Sequence, residues 1–527
     1  MKYLKKIIKK NSLLLLLLVL IFSTASCEKY LEESLTTQVN QEYLFKTVDG
    51  LKSGVIALYN RNRDSYIKRE FWWGESYEAL VLVSRADVTI PINGNLSNYG
   101  KYTAGINPSS NTLSHHWKRF NSIANKATSI IVAAEAMVDI DETVRKQIIA
   151  EAKFFRANSY FILYRIYNNI YVSEEAITTD NAFDVVNNKS SKEEIFDLLR
   201  RDLDYAIANL EWTSEQLGRA TKGTAKHVRA KVAMWEQDWA EAKSQSESLI
   251  SQGPHSLTAT TAEVFDGKMD HTEQLFTLQY DNDIAPAGGN RNMVNWNLIA
   301  QYNKVPGMVR EEEYGGKGAA FLLPNQYLLD LLSADPNDDR DDNNYFVTEY
   351  RYNDAANVPA GSNVGDVVQG VYDTSSTLYY KRLHPSCLKY REEDTDPNVT
   401  TKKSNLMIYR LGETYLIAAE ANMRINGTGL SYLNDVRQRA NAAPLTTINQ
   451  QVILDERARE LAFEGQRWFT LKRMGIDVLR SQIQNHAGDD NYKNEARTNF
   501  QDHYINFPIP QSQLDFLGPN YPQNAGF

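Results

Sequence analysis

The segment GTAKHVRAKVAMWEQDWAEAKSQSESLI, residues 223–250, predicts two helices that pack against each other as a hairpin. Small side chains at Ala230, Ala233 and Ala242 stand where the two helices have to approach closely. Trp239 followed three residues later by Ala242 has the spacing of a tetratricopeptide helix pair. Any antiparallel helix hairpin needs small residues at its crossing, so the segment predicts the helix pair and leaves a tetratricopeptide unit as one of two interpretations.

Helical spacing extends over most of the first half of the chain. Apolar residues recur at intervals of three and four from about residue 40 to residue 250, which is the period of an amphipathic helix. One helix is predicted to begin at Ser191, because the sequence SKEE places a glutamate three residues after the serine, as in a capping box. A second helix hairpin is predicted over residues 404–442. Its distance from the first hairpin favours a discontinuous helical scaffold over a tandem array.

The chain changes character between the two hairpins. Gly, Asn, Asp and Tyr are concentrated there, and the alternating segment EQLFTLQY, residues 273–280, predicts a strand. Long irregular loops on a rigid scaffold are common places for binding sites. We therefore expect a domain of residues 27–527 with three parts: N-terminal helices (40–250), a loop-rich ligand region (251–403), and C-terminal helices with an extended tail (404–527).

The N-terminus has the order of an export signal. In LLLLLLVLIFSTASCEKYLEESLTT, residues 13–37, an apolar run of ten residues is too short to span a bilayer, which takes about 20. Five lysines precede the run and small residues follow it, as in a secretory signal. Ala25-Ser26-Cys27 resembles a bacterial lipobox. We predict a lipoprotein signal peptide over residues 1–26 and lipidation of Cys27; the alternative is an ordinary signal with a coincidental cysteine.

Charge and cysteine content narrow the function classes. The chain has 57 basic and 66 acidic residues, a net charge of −9, and loss of five signal-peptide lysines would give 52 − 66 = −14. An acidic chain without a basic stripe repels phosphate backbones, which argues against nucleic-acid binding. With Cys27 lipidated, Cys387 has no partner for a disulfide within the mature chain. The exported protein would therefore depend on its core for stability.

The chain carries no complete catalytic or metal-binding sequence motif. It contains neither HExxH nor GxSxG, and its eight histidines are scattered. The acidic stretch ADPNDDRDDNNYF, residues 334–346, lacks the glycine and glutamate of a calcium loop and is interpreted as a solvated turn. Glu456, Glu460 and Glu464 could be the carboxylates of a glycosidase, but interleaved arginines make structural ion pairs the simpler interpretation. We predict no catalytic residue, no metal and no cofactor.

Several segments together resemble one protein family. The C-terminal segments that carry the resemblance are YRLGETYLIAAEANMRING, YLNDVRQRAN, ILDERARELAFEGQRWFTLKRMG and INFPIPQSQLDFLGPNYPQNAGF. Upstream, in the same order as in the family, come SRAD (84–87), WKRFNSIANKA, AEAKFFRANSYFILYRIY, SKEEIFDLLRRDLDYAIANL and GRATKGTAKHVRAKVAMW. These segments resemble the SusD/RagB outer-membrane lipoproteins of Bacteroidota over nearly the whole mature chain. One departure is Asn168, which follows the long helix where the family commonly has glycine.

The resemblance implies a fold and a role. The implied fold is mainly α, a SusD-like scaffold of tetratricopeptide-like helix pairs with an irregular, loop-rich ligand face and a few short strands. The implied function is binding without catalysis: the protein would capture oligosaccharide or another polymer-derived nutrient and pass it to a SusC-like TonB-dependent β-barrel transporter. The implied location is the outer membrane, lipid-anchored and surface-exposed. A peptide-capturing member of the same family and a secreted glycoside hydrolase remain as alternatives.

Candidate ligand residues follow from sugar chemistry and from the resemblance. Sugars stack their C–H faces on aromatic rings, and their hydroxyls bind planar donors and acceptors. In the family, part of the site lies in the loop after SRAD. Asp87 is expected to cap a helix or to pair with a neighbouring residue there. Trp73 is less favoured, because packing or transporter contact is the simpler interpretation. The predicted ligand-binding residues are Arg85, Asn98, Tyr99, Tyr102, Trp296, Tyr302, Tyr314 and Trp73.

Overall fold

Helices are the main regular element of the computed structural model, which describes residues 45–66, 78–92, 94–178, 180–182, 184–267, 271–280, 293–341, 343–392, 396–400 and 404–527. The chain forms two compact units, residues 1–50 and 51–527, and the description that follows concerns the second. Among the described residues, none of the helices combines the length and apolar character that a membrane span requires. Cys27 and Trp73 lie outside the described residues.

The helices fall into an N-terminal series, short segments in the middle, and a C-terminal series. They are α1 (Val48–Tyr66), α2 (Glu78–Ser84), α3 (Gly94–Gly100), α4 (Asn111–Ala136), α5 (Glu142–Tyr167), α6 (Lys192–Asn209), α7 (Lys222–Glu236), α8 (Trp239–Gln252), α9 (Thr261–Val264), α10 (Val294–Leu298), α11 (Gln326–Ser333), α12 (Thr377–Arg382), α13 (Leu411–Asn426), α14 (Leu430–Arg439), α15 (Gln450–Leu461), α16 (Arg467–Met474), α17 (Ile476–His486), α18 (Ala496–Asn499) and α19 (Gln511–Leu514).

In the described part of the chain, short strands pair antiparallel in three separate two-stranded sheets. The strands are β1 (Thr89–Pro91), β2 (Gln274–Leu278), β3 (Leu322–Pro324), β4 (Phe346–Val347), β5 (Ser386–Cys387) and β6 (Leu406–Arg410). The pairs are β1 with β3, β2 with β6, and β4 with β5. The mainly α class with few short strands is therefore confirmed.

The predicted helix hairpins and the discontinuous scaffold are both present. Helix α7 packs against α8, and α8 in turn packs against α13, which begins about 170 residues later. At this junction Ala230, Ala233 and Ala242 form a buried cluster with Ile417 and Ala421. Small side chains let the three helix backbones approach closely, so the spacing of these alanines marks a junction between distant parts of the chain.

Local sequence signals set the start of α6, as predicted, and also the end of α5. Ser191 accepts from the backbone N–H of Glu194 at 3.2 Å, and the Glu194 carboxylate accepts from the Ser191 N–H at 2.7 Å, which completes the capping box. Helix α5 ends at Asn168, whose φ of +63° takes the chain out of the helix. Asparagine tolerates positive φ better than most residues, so it can occupy a position where the family commonly has glycine.

The prediction of a helix hairpin from residue 404 needs a correction at its start. Residues 406–410 form strand β6, and the helix begins at Leu411. The reason is tertiary: β6 pairs with β2, whose existence the alternation in EQLFTLQY did predict. Because β2 and β6 are paired, the two ends of the chain between them, residues 279–405, lie next to each other.

Candidate functional site

The SRAD segment is held in the interior by the C-terminal part of the chain. Arg85 is fully buried, and its guanidinium lies over the rings of Trp468 at 4.2 Å and Phe507 at 4.3 Å. Burial lowers the pKa of Arg85 to about 10. Asp87 accepts two hydrogen bonds from Arg467, at 2.7 and 2.6 Å, so the expectation of a local partner for Asp87 is wrong. Both residues fasten this segment to α16 and to the tail.

The loop after SRAD keeps its two predicted tyrosines inside. Tyr102 is 2% exposed, adopts a φ of +55°, and donates to the carbonyl of Arg85 at 2.6 Å. Its ring meets Phe500 edge-on at 5.0 Å, and burial raises the pKa of Tyr102. Tyr99 is 4% exposed, and its hydroxyl lies 2.8 Å from Ser110 Oγ. Asn98 is exposed, on helix α3.

Tyr302 and Tyr314 also pack in the interior. Tyr302 stacks on Tyr350 with the ring centroids 5.5 Å apart, and meets Tyr314 edge-on at 5.4 Å. The Tyr302 hydroxyl donates to the carbonyl of Glu311 at 3.1 Å, and the Tyr314 hydroxyl accepts from the N–H of Arg351 at 3.2 Å. These tyrosines form the core of the loop-rich region.

Burial changes the interpretation of five predicted ligand residues, because an interior side chain presents no ring face or guanidinium to a ligand. These five residues are Arg85, Tyr99, Tyr102, Tyr302 and Tyr314. We assign them to the packing that shapes the site. Among the predicted residues that the structure describes, Asn98 and Trp296 are left with accessible side chains.

Strand β3 brings the two predicted contributions to the site together. Its register with β1 pairs Ile90 with Leu323, and two residues farther along, the N–H of Ile92 donates to the carbonyl of Phe321 at 2.7 Å. On the other side, the N–H of Phe321 donates to the carbonyl of Asn297 at 2.8 Å. The loop that follows SRAD and the Trp296 segment therefore lie on either side of Phe321.

The Trp296 ring lies against the Phe321 ring, with centroids 5.4 Å apart and planes at 60°. Both side chains are partly exposed. Asn295 and Asn297 on either side are fully buried, and their side-chain amides donate to the carbonyls of Gly315 and Met293, each at 2.8 Å. The asparagines therefore fix the backbone around Trp296, and the indole lies at the surface.

Three lysines from distant segments lie close together, and the backbone of one of them is hydrogen-bonded to the segment that follows Trp296. Lys101 forms an ion pair with Glu495 at 2.6 Å. Burial of the amine, together with the neighbouring charges of Lys101 and Lys381, lowers the pKa of Lys493. The carbonyl of Lys381 accepts from the N–H of Gln301 at 2.8 Å, next to the segment that carries Trp296. All three lysine side chains are partly exposed.

These features define one surface, which we call the β1–β3 face. Its residues are Asn98, Lys101, Trp296, Phe321, Lys381 and Lys493. Sequence reasoning identified Trp296 and Asn98 but missed Phe321 and the lysines. Phe321 directly precedes a strand that the sequence did not predict, and the lysines are separated by more than 100 residues, so no local pattern connects them. Chemically, the face offers ring surface for C–H stacking beside donors for oxygen atoms.

The carboxylate series on α15 and just beyond it forms structural ion pairs, as predicted. Glu460 is fully buried and accepts from Arg340 at 3.2 Å, from Arg410 at 2.6 Å, and from Arg439. Burial alone would raise the pKa of Glu460, but Arg439, Arg410 and Arg340 hold that pKa well below its usual range. Glu456 and Glu464 are paired with basic residues in the same way. A carboxylate fixed in its charged form by three arginines is unsuited to general acid catalysis.

Comparisons with known proteins agree with this architecture. The model of the SusD family matches residues 272–527. The SusD-like protein P25 of Formosa agariphila is 26% identical, over 94% of this chain and 95% of that protein. The starch-binding protein SusD of Bacteroides thetaiotaomicron is 23% identical, over 75% of this chain and 74% of that protein. A solved laminarin-binding SusD-like protein superposes with a TM-score of 0.69, at 19% identity, over 91% of this chain and 99% of that one.

Proposed function

Residues 272–527 of this chain belong to the SusD family, the fold is SusD-like along nearly its whole length, and on that premise we propose that the protein binds carbohydrate at the cell surface without catalysis. In this proposal it captures an oligosaccharide and passes it to a SusC-like TonB-dependent transporter. The lipid anchor would be on Cys27, after removal of residues 1–26, and would hold the protein on the outer membrane.

The observation that carries the proposal is the aromatic pair Trp296 and Phe321 at the β1–β3 face. Two partly exposed rings in contact, on a segment fixed by buried asparagines, form a rigid apolar platform. Sugar rings stack on such platforms, while Asn98 and the lysines offer hydrogen bonds to hydroxyl and ring oxygens. Relatives named for binding starch and laminarin support carbohydrate as the ligand class.

The absence of catalysis in the proposal rests on the state of the candidate carboxylates. Retaining and inverting glycosidases use two carboxyl groups about 5 to 9.5 Å apart, one of them with a raised pKa. Glu456 and Glu460 instead have lowered pKa values, because arginines outweigh the effect of burial. New reducing ends on incubation with oligosaccharides would contradict this part of the proposal.

Calorimetry on a soluble form that starts at Glu28 tests ligand binding directly. Plant, host and microbial oligosaccharides would be titrated beside mixed peptides. We expect saturable binding of one glycan class, and Trp296→Ala should weaken it by about tenfold or more, because the platform loses its larger ring. Trp212→Ala is a matched control, since Trp212 is also partly exposed but lies outside the β1–β3 face.

Two outcomes would contradict the proposed site or ligand. Unchanged glycan affinity in folded Trp296→Ala would place the ligand elsewhere. Binding of peptides in preference to every glycan would assign the protein to peptide capture.

The anchor is tested separately: Cys27→Ala should release the protein from the membrane fraction, and retention there would contradict lipidation at Cys27. Copurification of a large β-barrel protein in mild detergent would support the transporter partnership, and its absence would count against it.

A further inference from the structure

A cavity separate from the β1–β3 face lies between helix α1, the loop that leads to α7, and strand β2. Its volume is about 280 Å³, and none of its lining residues belongs to the β1–β3 face. Ile56, Tyr59 and Arg63 contribute from α1, at the spacing of three and four that places them on one helix face. Leu217 contributes from the loop. The cavity is large enough for a small organic molecule of about ten heavy atoms.

Among the described residues that line this cavity, the charged ones are positive. They are the two arginines Arg63 and Arg219, and this described part of the lining has no aspartate or glutamate. Arg219 is already neutralised, because one of its guanidinium nitrogens binds both oxygens of Glu151, at 2.9 and 2.7 Å. Tyr59 donates to the same carboxylate at 2.6 Å. Arg63 forms neither a hydrogen bond nor an ion pair with any residue that the structure describes, so its charge is available to a ligand.

Two residues that line the cavity carry a polar atom that lacks a partner in the described part of the chain. These atoms are the hydroxyl of Thr277 and the amide nitrogen of Gln279, and both are covered by protein. Buried polar atoms are nearly always hydrogen-bonded in folded proteins, so these donors are unusual, but a ligand in the cavity does not reach them directly. Around these donors the lining is apolar, with Ile56, Leu217 and Phe276.

We infer that this cavity binds a small organic carboxylate with an apolar body, held by Arg63 at its charged end and by Ile56 and Leu217 along its apolar end. The guanidinium matches a carboxylate in two parallel hydrogen bonds, and it is the strongest uncommitted donor in the lining. A neutral sugar fits less well, because it carries no charge to pair with Arg63. Of the other polar groups in the described lining, the side-chain carbonyl of Gln216 is already engaged, since it accepts from Arg219 at 2.8 Å.

The test uses the soluble form from Glu28 in calorimetric titrations with benzoate and hexanoate, beside benzyl alcohol and hexanol. We expect saturable binding of the acids, and binding of each alcohol weaker by about tenfold, since the alcohol cannot pair with Arg63. Arg63→Gln should weaken acid binding to the level of the alcohol. Because Arg63 has no partner to lose among the described residues, this variant should keep the far-UV circular dichroism and Tm of the parent.

Lys52→Gln provides the matched control. It removes one exposed positive charge from the same helix, and Lys52 does not line the cavity. Acid binding that persists in Arg63→Gln, an acid that binds no better than its alcohol, or the lack of saturable acid binding would each overturn the inference. Glycan binding through Trp296 should be the same in Arg63→Gln, so the inference and the proposed function can fail independently.

Discussion

Removal of the Asp87 carboxylate should destabilise the protein far more than removal of an equivalent surface carboxylate. Asp87 is fully buried and accepts from Arg467 at 2.7 and 2.6 Å. Asp87→Ala would leave the Arg467 guanidinium buried without its counter-charge. Breaking a buried ion pair by removing one partner costs about 3 to 5 kcal/mol.

The same chain offers a control pair with the same geometry at the surface. Asp502 accepts from Arg480 at 2.8 and 2.6 Å, and the side chains of Asp502 and Arg480 are 60% and 32% exposed to water. Asp502→Ala should leave the free energy of unfolding nearly unchanged, since water and salt screen the pair. The difference between the two variants isolates the effect of burial.

Thermal unfolding followed by circular dichroism measures that difference. For roughly 480 residues in the second unit, an unfolding entropy of about 2.1 cal/mol/K per residue gives about 1 kcal/mol/K in total. A loss of about 3 to 5 kcal/mol therefore lowers Tm by about 3 to 5 °C. Asp87→Asn keeps one acceptor oxygen and should fall between. If Asp87→Ala lowers Tm no more than Asp502→Ala, the SRAD segment is not fastened by this pair.

Three further outcomes follow from the packing and the charges. Ala242→Leu should cost about 1 to 3 kcal/mol of unfolding free energy by overpacking the α7–α8–α13 junction, whereas Ala240→Leu on the exposed face of α8 should cost little, as measured by urea denaturation. Arginines hold the pKa of Glu460 below its unfolded value of about 4.5, so the charged Glu460 stabilises the protein above pH 4.5, and this stabilisation is lost as the pH falls further. In Glu460→Gln the free energy of unfolding should therefore fall less steeply below pH 4.5 than in the parent, and an equally steep fall would contradict the pairing. Burial raises the pKa of Cys387 to about 12. The soluble form from Glu28 should therefore react with a thiol reagent after unfolding and not before, and rapid labelling of the native protein would contradict that burial.

The helical scaffold was accessible to sequence reasoning because its signals are local. The capping box at Ser191 and the alanines of the α7–α8 hairpin act over three or four residues, and both have the predicted roles. Strand β6 was missed because its partner β2 lies about 130 residues upstream. A short apolar segment does not state whether it will pair as a strand or start a helix until its partner is known.

The ligand side chains were less accessible, because exposure is a property of the assembled fold. Tyr102 and Tyr302 stand in polar, loop-like sequence, yet each is buried by aromatic residues from other segments, such as Phe500 and Tyr350. Trp296 was equally ambiguous in sequence, and the two buried asparagines beside it determine that its ring lies at the surface. A tyrosine-rich loop therefore indicates where a site is built, not which rings contact the ligand.

The pairing of β2 with β6 gives the protein an unusual modularity. The 127 residues from 279 to 405 leave the scaffold and return to it through two adjacent strands, whose base is fastened by the Arg410–Glu273 ion pair at 2.9 Å. A relative's intervening chain could be grafted onto this base to exchange specificity while the helices stay as they are. Such a graft would have to keep the pairing of β3 with β1 and the cations that reach back from the exchanged chain, among them Arg340 to Glu456 and Lys389 to Glu464. It would exchange Trp296 and Phe321 and leave Asn98 on the scaffold, so it would change one part of the proposed site and keep the other.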